Sequence, residues 1–158
     1  MKHFFATLAF AACGVLALPT WAQSGASAAP MPAPARAVAP AGLFQALGEK
    51  PGITQLMDDF VNRLVKDPRI GTHFKDTNAT VLKESLTDQI CHLSGGPCVY
   101  EGGDMKTVHS DMDINKGHFN ALVEVLQTSM DAQAIPFARQ NQLLSLLAPM
   151  HRDVITLR

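Results

Sequence analysis

The stretch PGITQLMDDFVNRLVKDP, residues 51–68, sets the fold class. Its apolar residues Ile53, Leu56, Met57, Phe60, Val61 and Leu64 fall at offsets 0, 3, 4, 7, 8 and 11, which is one face of a helix and not the alternation of a strand. Pro51-Gly52 opens this helix, and Asp67-Pro68 closes it, because a residue before proline avoids the helical region. Upstream, Leu43 to Leu47 reads as a short amphipathic turn ending at Gly48. Downstream, Ile70 to Thr77 is a short irregular connection holding His73 and Phe74. Asn78 or Thr80 caps a second helix that carries Leu82, Leu86, Ile90 and Leu93 on one face and stops at Gly95-Gly96-Pro97. Met105 to His109 is a single helical turn. Asn115 caps a third long helix with Phe119, Leu122, Val123, Leu126 and Met130 inward. Pro136 suits the first turn of a last helix bearing Phe137, Leu143, Leu144, Leu147, Met150 and Val154. The expectation is an all-α domain of four substantial helices plus short pieces. The segment from Ser94 to Asp113 is Gly-rich and weakly periodic. Long structureless loops are uncommon in compact domains, and a bound cofactor is one candidate for holding this one.

The chain divides into three parts. Residues 1–22 read as an export signal: a basic start at Lys2 and His3, an apolar run from Phe4 to Leu18, and small residues at Thr20 and Ala22 that place cleavage after Ala22. The run is too short for a membrane-spanning helix, which needs about 20 apolar residues. Cys13 only weakly resembles a lipidation site, because Phe10 stands where Leu is expected. Residues 23–42, rich in Ala, Pro and Ser, read as an extended or disordered linker with little apolar bulk to bury. Residues 43–158 suit one domain with one modest core. The expected location is therefore outside the cytoplasm, in a bacterial periplasm, with no membrane insertion after signal removal. The formal net charge is −1 and the positive residues are scattered, which gives no nucleic-acid footprint. Oligomeric state is not legible.

Histidine is the richest chemical signal in the domain: His73, His92, His109, His118 and His151. Neutral imidazole ligates iron or zinc well, but a lone histidine is more often a surface or packed residue. His151 reads as a cation at a helix end. An axial haem ligand must be held rigidly among apolar neighbours, with its second ring nitrogen donating to a carbonyl or carboxylate. Met105 and Val108 supply such neighbours for His109, although composition alone does not choose His109 over His118. Gln89 is an amide on an otherwise apolar helix face; it points at a ligand, bonds a nearby backbone carbonyl, or meets solvent if the helix is rotated. Cys91 and Cys98 are either a disulfide pair in an oxidising compartment or two packed thiols. Covalent c-type haem needs Cys-x-x-Cys-His, and Cys91-His92 lacks the first cysteine. No paired-ligand zinc spacing, reactive-thiol context or phosphate loop is present.

In this order and at these spacings, several segments resemble the truncated haemoglobins, the two-over-two globins, and group I most of all. They are Leu43 to Gly48 with Pro51-Gly52-Ile53, Asp59-Phe60, Asp67 to Ile70, Phe74, Leu82-Lys83, Gly95-Gly96-Pro97, Tyr100-Glu101-Gly102, Met105 to His109, His118-Phe119 and Leu147 to Met150. The resemblance implies a two-over-two helical sandwich around non-covalent haem b. It places the proximal iron ligand at His109 and leaves His118 as a non-ligand. Phe74, Leu82, Met105, Val108 and Phe119 are the expected haem contacts. Phe60, Val61, Leu86, Gln89, Ile90 and Leu122 are the expected gas-side pocket. Glu49 stands where the family commonly has a second glycine. Val61 stands where many members have a tyrosine that donates to O2, leaving Gln89 as the remaining donor candidate.

The expected function is reversible binding of O2, NO or CO at a pentacoordinate or weakly hexacoordinate iron. The alternative is an NO dioxygenase or peroxidase-like enzyme on the same haem, which would need an unknown electron donor, since no flavin or nicotinamide domain is present. A helical interaction domain without haem is the third reading. The apolar pocket favours the first.

Overall fold

The computed structural model describes residues 38–157. The export-signal reading and most of the linker reading fall on residues outside that range. Among the described residues there are helices and no strand. The elements are α1 (Leu43–Ala46), α2 (Glu49–Leu64), a 3-10 turn (Gly71–Phe74), α3 (Ala79–Leu93), α4 (Met105–Val108), α5 (Lys116–Ala132), α6 (Phe137–Leu147), a second 3-10 turn (Ala148–Met150) and α7 (His151–Val154).

The apolar stripe of α2 does what its spacing dictates: Ile53, Leu56, Met57, Phe60, Val61 and Leu64 are all buried. This helix packs on α3 and α5, while α1 touches both α2 and α6. Its start is unusual. Gly48 (φ 80°) and Glu49 (φ 56°) are both left-handed. A Cβ on Gly48 would also stand 3.1 Å from the Gly52 Cα, so the turn requires glycine there. Asn78 caps α3, its Oδ1 accepting from the Thr80 N–H at 3.0 Å and the Val81 N–H at 3.2 Å. Asn115 caps α5, accepting from the His118 N–H at 2.9 Å.

The last helix departs from expectation in two ways. It is interrupted: α6 stops at Leu147 and a 3-10 turn precedes α7. Pro149 lacks an amide hydrogen and so cannot donate the next intrahelical bond, which accounts for the break although Ala148 itself keeps helical angles. Phe137 is 69% exposed, not inward. The phase of α6 is set by buried Gln140, Leu143 and Leu146, and at about 100° per residue Phe137 lies on the opposite side from Leu146. Gln140 is buried because its amide is satisfied, donating to Asp131 Oδ1 at 2.7 Å and the Ile135 carbonyl at 2.9 Å.

Between α3 and α4 the chain is pinned. Cys91 and Cys98 form a disulfide with Cα atoms 5.7 Å apart. Gly95 (φ 89°) makes the turn, and a Cβ on Gly96 would strike the Phe44 ring at 2.5 Å and Cys91 Sγ at 2.7 Å. The segment after α4 is pinned from the other end of the chain. The Ile114 carbonyl accepts from the Thr156 and Leu157 N–H groups, each at 2.9 Å, and the Ile114 N–H donates to Thr156 Oγ1 at 2.8 Å.

Candidate functional site

These elements enclose a cavity of about 560 Å3, within the size range of small-molecule and cofactor sites. Met57, Phe60 and Leu64 line it from α2, and Leu82, Ser85, Leu86, Gln89 and Ile90 from α3. His73, Phe74 and Thr77 line it between those helices. Met105, Val108, His109, Met112 and Ile114 supply the wall around α4, and His118, Phe119, Leu122, Val123 and Leu126 the wall from α5. Leu144, Leu147, Met150 and Val154 close it. Among the described residues no Lys, Arg, Asp or Glu lines it. A smaller cavity of about 300 Å3 shares Gln89, Tyr100, Met105 and Met150 with it.

The short helix α4 determines how His109 is presented. Asp104 caps it, accepting from the Thr107 N–H at 3.0 Å and from Thr107 Oγ1 at 2.7 Å. Those two bonds hold the Asp104 carboxyl below the usual carboxylate range. His109 follows as the C-cap. Its Nδ1 lies 2.7 Å from the Met105 carbonyl oxygen. A carbonyl only accepts, so Nδ1 carries the hydrogen and donates. The neutral ring therefore keeps its lone pair on Nε2. This is the second-partner bond that fixes tautomer and orientation in metal-ligating histidines.

Of the residues expected at the site, Phe60, Phe74, Leu82, Leu86, Gln89, Ile90, Met105, Val108, His109, Phe119 and Leu122 all line the cavity. Val61 does not. It is fully buried within the helical core. Met57, Phe60 and Leu64 form the cavity-facing edge of the α2 stripe, and Val61 lies about 100° round from Phe60, on the flank that packs against other helices. Gln89 is buried, which excludes the solvent-facing alternative, and its Nε2 rests 3.8 Å from Met105 Sδ and 3.9 Å from Met150 Sδ. Thioethers are weak acceptors, so the amide keeps hydrogen-bonding capacity at the junction of the two cavities.

Other contacts carried no sequence signal. His73 Nε2 lies 3.1 Å from His118 Nδ1. His151, expected as a free helix-end cation, packs edge-on against Phe119 with centroids 4.7 Å apart. His92 is exposed, its Nδ1 3.2 Å from the Cys98 carbonyl oxygen. Arg69 bridges Asp67 at 2.8 Å and Glu124 at 2.5 Å, tying the 65–70 link to α5 and holding the Asp67 carboxyl low. Among the described residues no cluster of three or more His, Cys, Asp or Glu is arranged to hold a metal ion.

A helical sandwich around an apolar cavity with one presented imidazole is matched by known proteins. Residues 42–156 match the bacterial-like globin family. The chain belongs to this family. Among relatives of this globin, a group 1 truncated hemoglobin of Mycolicibacterium paratuberculosis is 26% identical over 121 residues, covering 77% of this chain and 89% of the relative. One from Chlamydomonas moewusii is 27% identical over 134 residues, covering 77% and 78%. Among solved structures, the truncated hemoglobin of Tetrahymena pyriformis in its Fe(III) form has a TM-score of 0.69 at 24% identity, over 72% of this chain and 97% of that one. The 2/2 hemoglobin of Synechococcus, solved with covalently attached heme, has a TM-score of 0.68 at 19% identity, over the same shares of 72% and 97%. The fold is the truncated two-over-two globin, and the general activity of this globin is haem-based gas binding.

Proposed function

We propose that this globin holds haem b non-covalently in the 560 Å3 cavity, with His109 as the proximal iron ligand, and reversibly binds a diatomic gas. The observation that carries the reading is the 2.7 Å bond from His109 Nδ1 to the Met105 carbonyl. It leaves Nε2 as the free donor atom on a ring in the cavity wall. The donor set fits the group: one oriented imidazole within an apolar enclosure. Attachment without a covalent link is supported by the Cys91–Cys98 bridge, which occupies both cysteines of residues 38–157.

When bound, the haem supplies an iron site for the gas. The chain supplies the rest. The Met105 carbonyl raises the basicity of His109 and stops its ring from rotating. Phe74 and Phe119 offer flat apolar surface, and Leu82 and Leu86 exclude water from the α3 side. Gln89 is the one amide on that helix face within the cavity, and we assign it as the hydrogen-bond donor toward O2. The mostly apolar wall favours binding over turnover. Export to an oxidising compartment is part of the same reading, supported by the bridged cysteine pair and by the signal-like residues 1–22.

The test is a hemin titration of the purified chain followed by butanone extraction at acid pH. Saturation at one haem per chain, with the pigment passing wholly into the organic layer, is expected. No Soret band at any ratio would refute the haem site, and pigment retained with the protein would refute non-covalent attachment.

A further inference from the structure

His73 and His118 lie 45 positions apart in sequence and take no part in ligation as described above. His73 precedes Phe74 in the first 3-10 turn. His118 precedes Phe119 in the first turn of α5. Both are half-buried and both line the cavity. Their rings meet edge to face, with centroids 4.6 Å apart and planes at 63°. His73 Nε2 and His118 Nδ1 are 3.1 Å apart.

The proton inventory follows from the partners. The 3.1 Å contact needs one hydrogen, so one of the two facing nitrogens must be bare. The Asn115 backbone N–H donates to His118 Nδ1 at 3.4 Å, closing the capping box, which makes Nδ1 the acceptor and His73 Nε2 the donor. A proton taken up at His118 Nδ1 would set N–H against N–H on both sides and break the contact, and a proton on each ring sets two cations side by side.

We infer that His73 and His118 are positioning residues, a neutral hydrogen-bonded pair that holds Phe74 and Phe119 against the haem and loosens that wall when it takes up a proton. This rests on the haem reading above. The groups facing His73 come from two places: His118 on α5, and Asp113 and the Met112 backbone on the segment after α4. Burial and the neighbouring His118 push its pKa below the imidazole norm, and Asp113 and Met112 offset them only in part. Below the unfolded value of about 6.5 the open chain takes a proton that the closed pair refuses. The latch therefore weakens as pH falls from there toward the lower folded value and is fully present above it.

The test measures haem loss from the holoprotein to excess apomyoglobin between pH 7.5 and 5.5, comparing wild type with His73→Gln. The amide keeps a hydrogen bond to His118 but does not titrate. Wild-type loss should accelerate about tenfold, the effect of one proton taken up across the pH unit from about 6.5 to 5.5, while His73→Gln should lose haem at a rate that changes little over the same range. Equal pH slopes in the two proteins would overturn the pair's role. If His73→Gln does not fold, Asp113→Asn serves: removing the carboxylate that favours the charged ring lowers the folded value further, so the acceleration should begin at the same pH and run on to lower pH with a larger total, and a total smaller than that of wild type would overturn the inference. An imidazole NMR titration of the haem-free full chain separates this from the haem reading. Failure to take up haem at any pH would sink the haem reading, and the pair would then stand or fall on coupled titration of His73 and His118, with independent curves overturning it.

Discussion

Opening the Cys91–Cys98 bridge should cost more than any single exposed ion pair in this globin. The cross-link spans a sequence separation of 7. Loop-closure entropy for a ring of that size is about 8 cal/mol/K, or about 2.4 kcal/mol at 25 °C. For a domain of this size the unfolding entropy near the midpoint is about 0.25 kcal/mol/K, so the melting temperature should fall by about 10 °C. The bridge also joins the end of α3, next to cavity-lining Ile90, to the loop that leads into α4 and His109, so haem loss should quicken in parallel. The perturbation is Cys98→Ser, read by thermal unfolding monitored by circular dichroism, beside wild type with and without a strong reductant. Cys91 is the poorer target because it is fully buried against the Phe44 and Gly96 packing. Reduced wild type and Cys98→Ser should melt together, well below the oxidised protein. A reductant-induced shift under about 2 °C would refute the reasoning, because the loop would then be held by its packing alone.

Other outcomes follow from single positions. Glu49 sits at φ 56°, where an L-residue is strained by about 1–2 kcal/mol; allowing for the backbone entropy of glycine, Glu49→Gly should stabilise by about 0.5 kcal/mol in urea denaturation. Gln89→Leu should speed O2 release about fivefold, the loss of one hydrogen bond of about 1 kcal/mol, and CO release should barely move; an unchanged O2 off-rate by flash photolysis would remove Gln89 from the gas site. Stability should fall with acid in two separated windows. His73, held neutral, withdraws its contribution as pH drops below about 6.5. Asp59, Asp67 and Asp104 have lowered pKa values, so theirs persists until pH drops below about 3.8 and is lost beneath it. Denaturation midpoints that change only in the lower window would contradict the His73 assignment.

Much of the fold was legible because helix phase is written in burial. The stripe from Ile53 to Leu64 and the cap at Asn115 could be read directly, and the structure chooses Asn78 over Thr80 as the cap of α3. What periodicity does not say is which edge of a buried stripe meets a cavity and which meets another helix. Val61 was expected at the pocket because the resemblance puts it where many members have a tyrosine, and periodicity could not tell that Met57 and Leu64, on the same stripe, reach the cavity instead. The last helix misled for a related reason: Phe137 is apolar, yet α6 takes its phase from Gln140, whose burial depends on a bond to Asp131 nine positions away. Pro149 was a local signal for the break at Leu147, and reading the apolar residues alone carried the helix through it. The His73–His118 contact joins two elements that no local pattern relates. His109 is the reverse case. Its carbonyl partner lies four residues back, within one helical turn, so the family motif and the local geometry coincide.

The central claim is the bond between His109 and iron. His109→Gly, loaded with haem and reduced, should lose the ferrous spectrum of the wild type and regain it when imidazole is added to fill the space left by the side chain. His118→Gly should keep that spectrum with no imidazole. A His109→Gly protein whose ferrous and CO-bound spectra match the wild type without added imidazole would contradict the account.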